Sequence, residues 1–185
     1  MSNYFHHQDF TSTEMLVKGE YEQCTFTDLL LSEQDFSGFK FSECSFKNCD
    51  LSLVKLNETA LRDVEFDNCK MMGLHFEDCN AFGLSFRFLN CILNHSSFFE
   101  LDARKTLMQH CKLHEVEFEG ANFNQAVFKD CDFLNANFYE TKLENADFRT
   151  SFNYSLDLDQ NMIKNAKFSL DSVAGLLSKY PIQIT

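Results

Sequence analysis

The sequence predicts an all-β solenoid, and three observations predict it. A large apolar residue returns every fifth position: Phe26, Leu31, Phe36, Phe41, Phe46, Leu51, Leu56, Leu61, Phe66, Met71 and Phe76. The period resumes with Leu113, Phe118, Phe123, Phe128, Phe133, Phe138, Leu143 and Phe148. Five matches neither the helical 3.6 nor the strand 2, so it marks a repeat unit. Second, the position two before each large residue holds a small one, such as Cys24, Cys44, Val64, Cys111, Ala121 or Ala146. Side chains two apart on an extended segment point the same way, here inward. Third, the inward pairs from Cys24 to Phe86 and from Cys91 to Phe168 make 29 units, and none of their 58 positions is charged, although 24% of the chain is. An unpaired buried charge is costly, so the interior is dry. Gln34, Asn153 and Asn161 are its polar exceptions.

The elements follow in chain order. Residues 1–20 repeat poorly and read as an N-terminal cap, with Phe10, Leu16 and Tyr21 as cap residues. Residues 21–168 are the repeat. All eight cysteines take the small inward position, several spaced by twenty (Cys24 to Cys44, Cys49 to Cys69, Cys91 to Cys111 to Cys131). Twenty residues is four units, hence four faces per turn. Stacked ~4.8 Å apart, about seven coils make a rod on the order of 35 Å long, each coil completing its neighbour's core. Cys79 to Cys91 breaks the register, as a two-residue insertion or a three-residue deletion. The insertion puts Cys49, Cys69, Cys91, Cys111 and Cys131 in one column and is preferred, with the bulge near residues 87–90. Gly38, Gly73, Gly83 and Gly120 close their units and suggest corners. Residues 169–185 read as a C-terminal cap: a helix from Ser169 to Tyr180 with an apolar stripe of Leu170, Val173, Leu176, Leu177 and Tyr180, then Pro181 and a short strand with Ile182 and Ile184. The stripe closes the last coil, or closes it and also pairs with a second copy.

Composition narrows the function. No apolar run is long enough to span a membrane, and the N-terminus lacks the apolar core of a signal peptide. Core cysteines point to a reduced, cytoplasmic protein rather than a disulfide scaffold. The histidines do not combine with cysteines at ligand spacing, and a filled core offers no catalytic cleft, so neither a metal, another cofactor nor an enzymatic activity is expected. The net charge is −12, and the stretch 113–148 carries Glu115, Glu117, Glu119, Asp130, Asp132, Glu140, Glu144 and Asp147 against only Lys129 and Lys142. These eight acids are the candidate partner-binding surface. Such a surface repels phosphate, so direct nucleic-acid binding is not expected. The residues between Arg87 and Lys112 are mildly basic through Arg104 and Lys105.

Ala121-Asn122-Phe123, Ala136-Asn137-Phe138 and Ala146-Asp147-Phe148 match the unit of the pentapeptide-repeat family, which the chain resembles over roughly residues 21–168. The resemblance implies a right-handed quadrilateral β-helix. The Tyr21…Cys24…Phe26 run and the terminal cap resemble the Qnr, MfpA and McbG group. For that group the resemblance implies a twofold dimer through the C-terminal cap (Leu170, Val173, Leu176, Leu177, Tyr180, Ile182, Ile184) and a DNA-like rod that binds type II DNA topoisomerases. Qnr proteins carry projecting loops between coils; this chain has only the short slip, like the loop-free members. The other reading is a rigid interaction scaffold with an unrelated protein partner.

Overall fold

A computed structural model of the chain describes residues 3–11 and 16–183. Parallel ladders wind the chain into a four-sided coil. The first face is a four-stranded sheet of Asn3–His6, Gly19–Glu22, Lys40–Ser42 and Ala60–Arg62. The second is a seven-stranded sheet that runs from Asp9–Phe10 to Val127–Lys129, with Phe26, Phe46, Phe66, Phe88, Met108 and Phe128 in one column. The third and fourth are columns of isolated bridges, Leu30–Asp50–Lys70–Ile92–Lys112–Asp132–Phe152 and His75–Ser97–Glu117–Asn137. Most steps along the rod are twenty residues, as the cysteine spacing predicts.

The five-residue unit accounts for every backbone donor it carries, as the unit around Phe123 shows. Ala121 N–H turns back to Phe118 O (3.0 Å). Asn122 N–H reaches Leu101 O in the coil above (2.8 Å), and Phe123 and Gln125 reach Lys142 O and Glu144 O below (2.8 Å each). The one donor left, Asn124 N–H, bonds the Asn122 side-chain oxygen at 3.2 Å. Asp35, Asp50, Glu117, Asp132, Asp147 and Asp157 cap the residue two ahead in the same way. A polar residue before the large one thus serves the backbone as well as pointing outward, although Leu30, Ile92 and Val127 fill the same position in other units.

The small inward residue also donates. Cys49, Cys69, Cys91, Cys111 and Cys131 each aim Sγ at the carbonyl of a large residue in the coil above. Thr59, Thr141 and Ser151 do so with hydroxyls at 2.7–3.0 Å. Burial pushes the Cys44 thiol up to about 11, so it stays a protonated donor to Tyr21 O (3.3 Å), and Cys79 up to about 12. All eight cysteines are free and buried. Phenylalanines stack between coils, for example Phe26 on Phe46 at 4.4 Å and Phe98 on Phe118 at 5.4 Å.

The last residue of most units turns in the left-handed region. Gly38, Gly73, Gly83 and Gly120 are there, but so are residues with side chains, from Gln23 to Asn165. Asn, Asp and His tolerate this better than branched or apolar residues. Leu53, at φ 58°, is an apolar residue in that position and is exposed. We expect Leu53→Asn to stabilise the fold by about 1 kcal/mol, read as a raised urea midpoint with an unchanged slope.

Four expectations need correction. Residues 3–10 do not merely cap the rod: Asn3–His6 and Asp9–Phe10 pair with the next coil, and Phe5 and Phe10 stack on Tyr21 and Phe26 at 4.6 and 5.0 Å. The slip is a two-residue insertion, because Lys70 pairs with Ile92, but it does not lie at 87–90. Phe86–Leu89 is a regular strand with Phe88 beneath Phe66, so the extra residues fall within 80–85. Phe86 and Phe88 offer two frames; Phe88 takes the large slot beneath Phe66, and Phe86 takes the small one, buried with its ring 5.5 Å from Phe76 and 5.1 Å from Phe88. Asn153 is exposed, and Tyr154 is buried in its place. Finally, the C-terminal helix is absent. Only a 3-10 turn, Val173–Leu176, forms, and Ile182 is not in a strand. Gly175 lies so close to the last coil that a Cβ would meet Tyr154 O at 2.0 Å, and its carbonyl accepts Leu156 N–H at 3.0 Å. The segment's own N–H groups close three-residue turns, as Val173 to Leu170 O, Gly175 to Ser172 O and Leu177 to Ala174 O, rather than an α-helix.

Candidate functional site

Winding the sequence into four faces sorts its charge. On the second face acids and bases nearly balance: Asp9, Asp28, Glu65, Asp67, Asp130 and Asp147 against Lys47, Arg87, Lys129, Arg149 and Lys167. The first face balances likewise. The fourth face does not. From top to bottom it presents Asp35, Glu58, Glu77 with Asp78, Glu100, Glu117 with Glu119, Glu140, and Asp157 with Asp159. Among the described residues of that face, Lys55 is the one lysine or arginine; Lys179 reaches Asp157 (2.6 Å) and Asp159 from the C-terminal segment. The result is a carboxylate stripe along the whole rod.

The eight acids picked from the stretch 113–148 are therefore not one patch. Glu117, Glu119 and Glu140 lie on the stripe. Glu115 and Asp132 are on the third face, Asp130 and Asp147 on the second, and Glu144 on the first. The stripe adds Asp35, Glu58, Glu77, Asp78, Glu100, Asp157 and Asp159, which a linear window misses. Reading acids at twenty-residue spacing, such as Glu58 and Asp78, would have found them.

Not all these carboxylates are equally available. Asp35 is held below the usual range by its hydrogen bonds to Ser37, and Asp157 by Lys179. Glu117 caps Glu119 N–H (2.8 Å) and accepts Asn137 Nδ2 with both oxygens (2.8 and 3.0 Å). Glu100, Glu119 and Glu140 sit at the edge of the stripe with no such duty to the backbone. Elsewhere, the Arg149 guanidinium holds Asp147 low, and although partial burial opposes it, hydrogen bonds from His114 and Asn153 lower Asp132. A depressed folded pKa stabilises the fold fully above the unfolded value near 3.9 and is lost as pH falls through the folded value. We expect the urea midpoint to drop as pH falls below about 4, and to drop less steeply in Asp147→Asn.

The C-terminal residues also divide. Val173, Leu176 and Leu177 are half-buried on the last coil, whereas Leu170 (89%), Tyr180 and Ile182 are exposed. Ile184 lies outside the described residues. No helix among the described residues is long and apolar enough to cross a membrane.

Family models match two stretches, one described as "Pentapeptide repeat region" over residues 20–98 and one as "Pentapeptide repeats (8 copies)" over residues 111–149. Among solved structures, a trypsin-treated form of QnrB1, a plasmid-mediated fluoroquinolone resistance protein, matches with TM-score 0.52 and 18% identity, covering 100% of this chain and 98% of that one. Full-length QnrB1 matches at 0.51 and 17%, covering 97% and 100%. HetL, a pentapeptide-repeat protein involved in heterocyst differentiation regulation from the cyanobacterium Nostoc sp. strain PCC 7120, matches at 0.51 and 15%, covering 89% and 84%. At such identity the likeness is one of fold. No curated protein matches the chain.

Proposed function

The chain belongs to the pentapeptide-repeat family, and from that premise we propose that it is a non-enzymatic, cytoplasmic DNA mimic. Its partner is a type II DNA topoisomerase, DNA gyrase or topoisomerase IV, which it modulates or shields from quinolone-type inhibitors. The observation that carries this reading is the carboxylate stripe of the fourth face. A net charge of −12 on a rod on the order of 35 Å gives about one negative charge per 3 Å, close to the ~3.4 Å phosphate spacing of one DNA strand. A groove shaped for duplex phosphates would meet complementary charge along its length. QnrB1, a fluoroquinolone resistance protein, shares the fold and gives the proposal its drug class. A second copy pairs through Leu170, Tyr180 and Ile182, which the last coil leaves exposed, together with Val173, Leu176, Leu177 and Ile184.

Gyrase supercoiling with increasing protein, with and without a fluoroquinolone, tests the proposal. Inhibition, or rescue from the drug, is expected; supercoiling unchanged at large molar excess in both arms would sink it. The second reading, a scaffold for an unrelated protein, is favoured by the equal fold likeness to HetL, a differentiation regulator. It becomes the better one if neither topoisomerase responds.

A further inference from the structure

Along the edge between the first and second faces runs a furrow of about 690 Å³ that spans successive coils. Its walls change sign along the rod. The upper half carries Glu43, Asp63 and Glu65, and the lower half carries Arg87, Arg104 and Lys105. Arg87 Nε meets Glu65 Oε2 at 2.6 Å where the halves join. At the same height the inserted residues turn Phe82 outward, 80% exposed. The ring does not hang free: Phe82 N–H bonds Asn80 Oδ1 at 3.0 Å, Arg62 Nε donates to Phe82 O at 3.3 Å, and the Arg62 guanidinium lies 5.6 Å from the ring centre. A fixed aromatic knob thus stands beside a polar furrow whose charge reads acidic, acidic, basic, basic from coil to coil.

We propose that this edge is an interface between two antiparallel copies of the chain. A two-fold axis across the rod, between the coils of Asp63 and Arg87, exchanges the acidic and basic halves. Glu43 then faces Arg104 and Lys105 of the second copy, Asp63 faces its Arg87, and the two Glu65–Arg87 pairs merge into a four-charge cluster. Phe82 of each copy enters the furrow of the other, supplying the desolvated aromatic anchor that interfaces concentrate their energy on. A uniformly acidic or basic partner would be repelled by one half of the furrow. The same surface turned end for end offers opposite charges at the same coil spacing of ~4.8 Å. Such a contact is isologous and by itself closes at two; together with pairing through the C-terminal segment it builds assemblies larger than a dimer. It also leaves the fourth face uncovered, so it adds to the proposed partner binding without competing for its surface.

Sedimentation velocity of the full chain at low salt and at about 0.5 M salt, where charge pairs are screened, tests the interface. Two variants each reverse one end of the furrow: E43K at the acidic end and R104E/K105E at the basic end. Each should raise the dissociation constant of this contact at least about tenfold, seen as loss of the larger species, and their equimolar mixture should associate as wild type does. Recovery in the mixture separates this contact from pairing through the C-terminal segment, which neither variant touches. Variants that self-associate like wild type, or a mixture that stays unassociated, would overturn the proposal. Far-UV spectra check folding, and if E43K does not fold, weakened association of Phe82→Ser at unchanged melting temperature carries the test.

Discussion

Phe128→Asp is expected to leave the chain unfolded, not merely weakened. Phe128 is 1% exposed, and its ring lies 4.6 Å from Phe148, 5.2 Å from Phe133 and 5.7 Å from Phe123. Removing a buried phenylalanine ring costs about 3–5 kcal/mol. The aspartate adds a carboxylate with no partner in a column of rings, worth several kcal/mol more even if it is protonated. Together these match or exceed the ~5–15 kcal/mol that holds a domain of this size folded. The loss propagates, because each coil buries its apolar face on its neighbours and Phe128 closes two of them. Loss of the β signal in far-UV circular dichroism at 20 °C is the expected reading. Glu119→Lys, on the outer side of the same rod, should shift stability by no more than about 0.5 kcal/mol. If the two variants melted alike, the assignment of inward and outward positions would be wrong.

The second large effect concerns the stripe. Reversing Glu100, Glu119 and Glu140 to lysine places three positive charges in successive coils of the fourth face. Close charge pairs across an interface couple by about 1.5 kcal/mol or more, so three reversals should weaken topoisomerase inhibition or protection by at least two orders of magnitude, roughly. Reversing Asp130 and Glu144, which belong to the same stretch of sequence but lie on the second and first faces, should change it little. Equal losses from both sets would show that net charge matters and its placement does not. No loss from the first set would remove the stripe as the contact surface. Rising salt should shrink the difference, since the pairs at the rim are screened.

The repeat was legible in the sequence because its constraint is local: one large and one small apolar residue per five, and no charge at either of those two positions. The cysteine column was legible too, since Cys49, Cys69 and Cys91 need only a count of twenty and one insertion. Placing that insertion was not. Leu84, Phe86 and Phe88 alternate, so two frames bury a phenylalanine equally well, and the pairing of Phe88 with Phe66 decides between them. The C-terminal stripe satisfied helical spacing, but spacing says nothing of the close approach of Gly175 to Tyr154. The eight acids of residues 113–148 spread over four faces for a related reason. Glu115 and Glu144 are near Glu117 and Glu140 in sequence, whereas the faces bring together residues a full coil apart.

The twenty-residue coil also makes the rod a length standard with a phase. Deleting one whole coil, such as residues 111–130, would shorten it by about 4.8 Å and leave every face below in line. Deleting a single five-residue unit would instead rotate everything below by a quarter turn. The core would remain apolar, since all units bury the same kind of residue. The lower carboxylates, however, would swing onto a neighbouring side, and the stripe would break into two half-length segments at right angles. Folding thus tolerates changes in units of five, while any partner that reads one side of the rod tolerates them only in units of twenty.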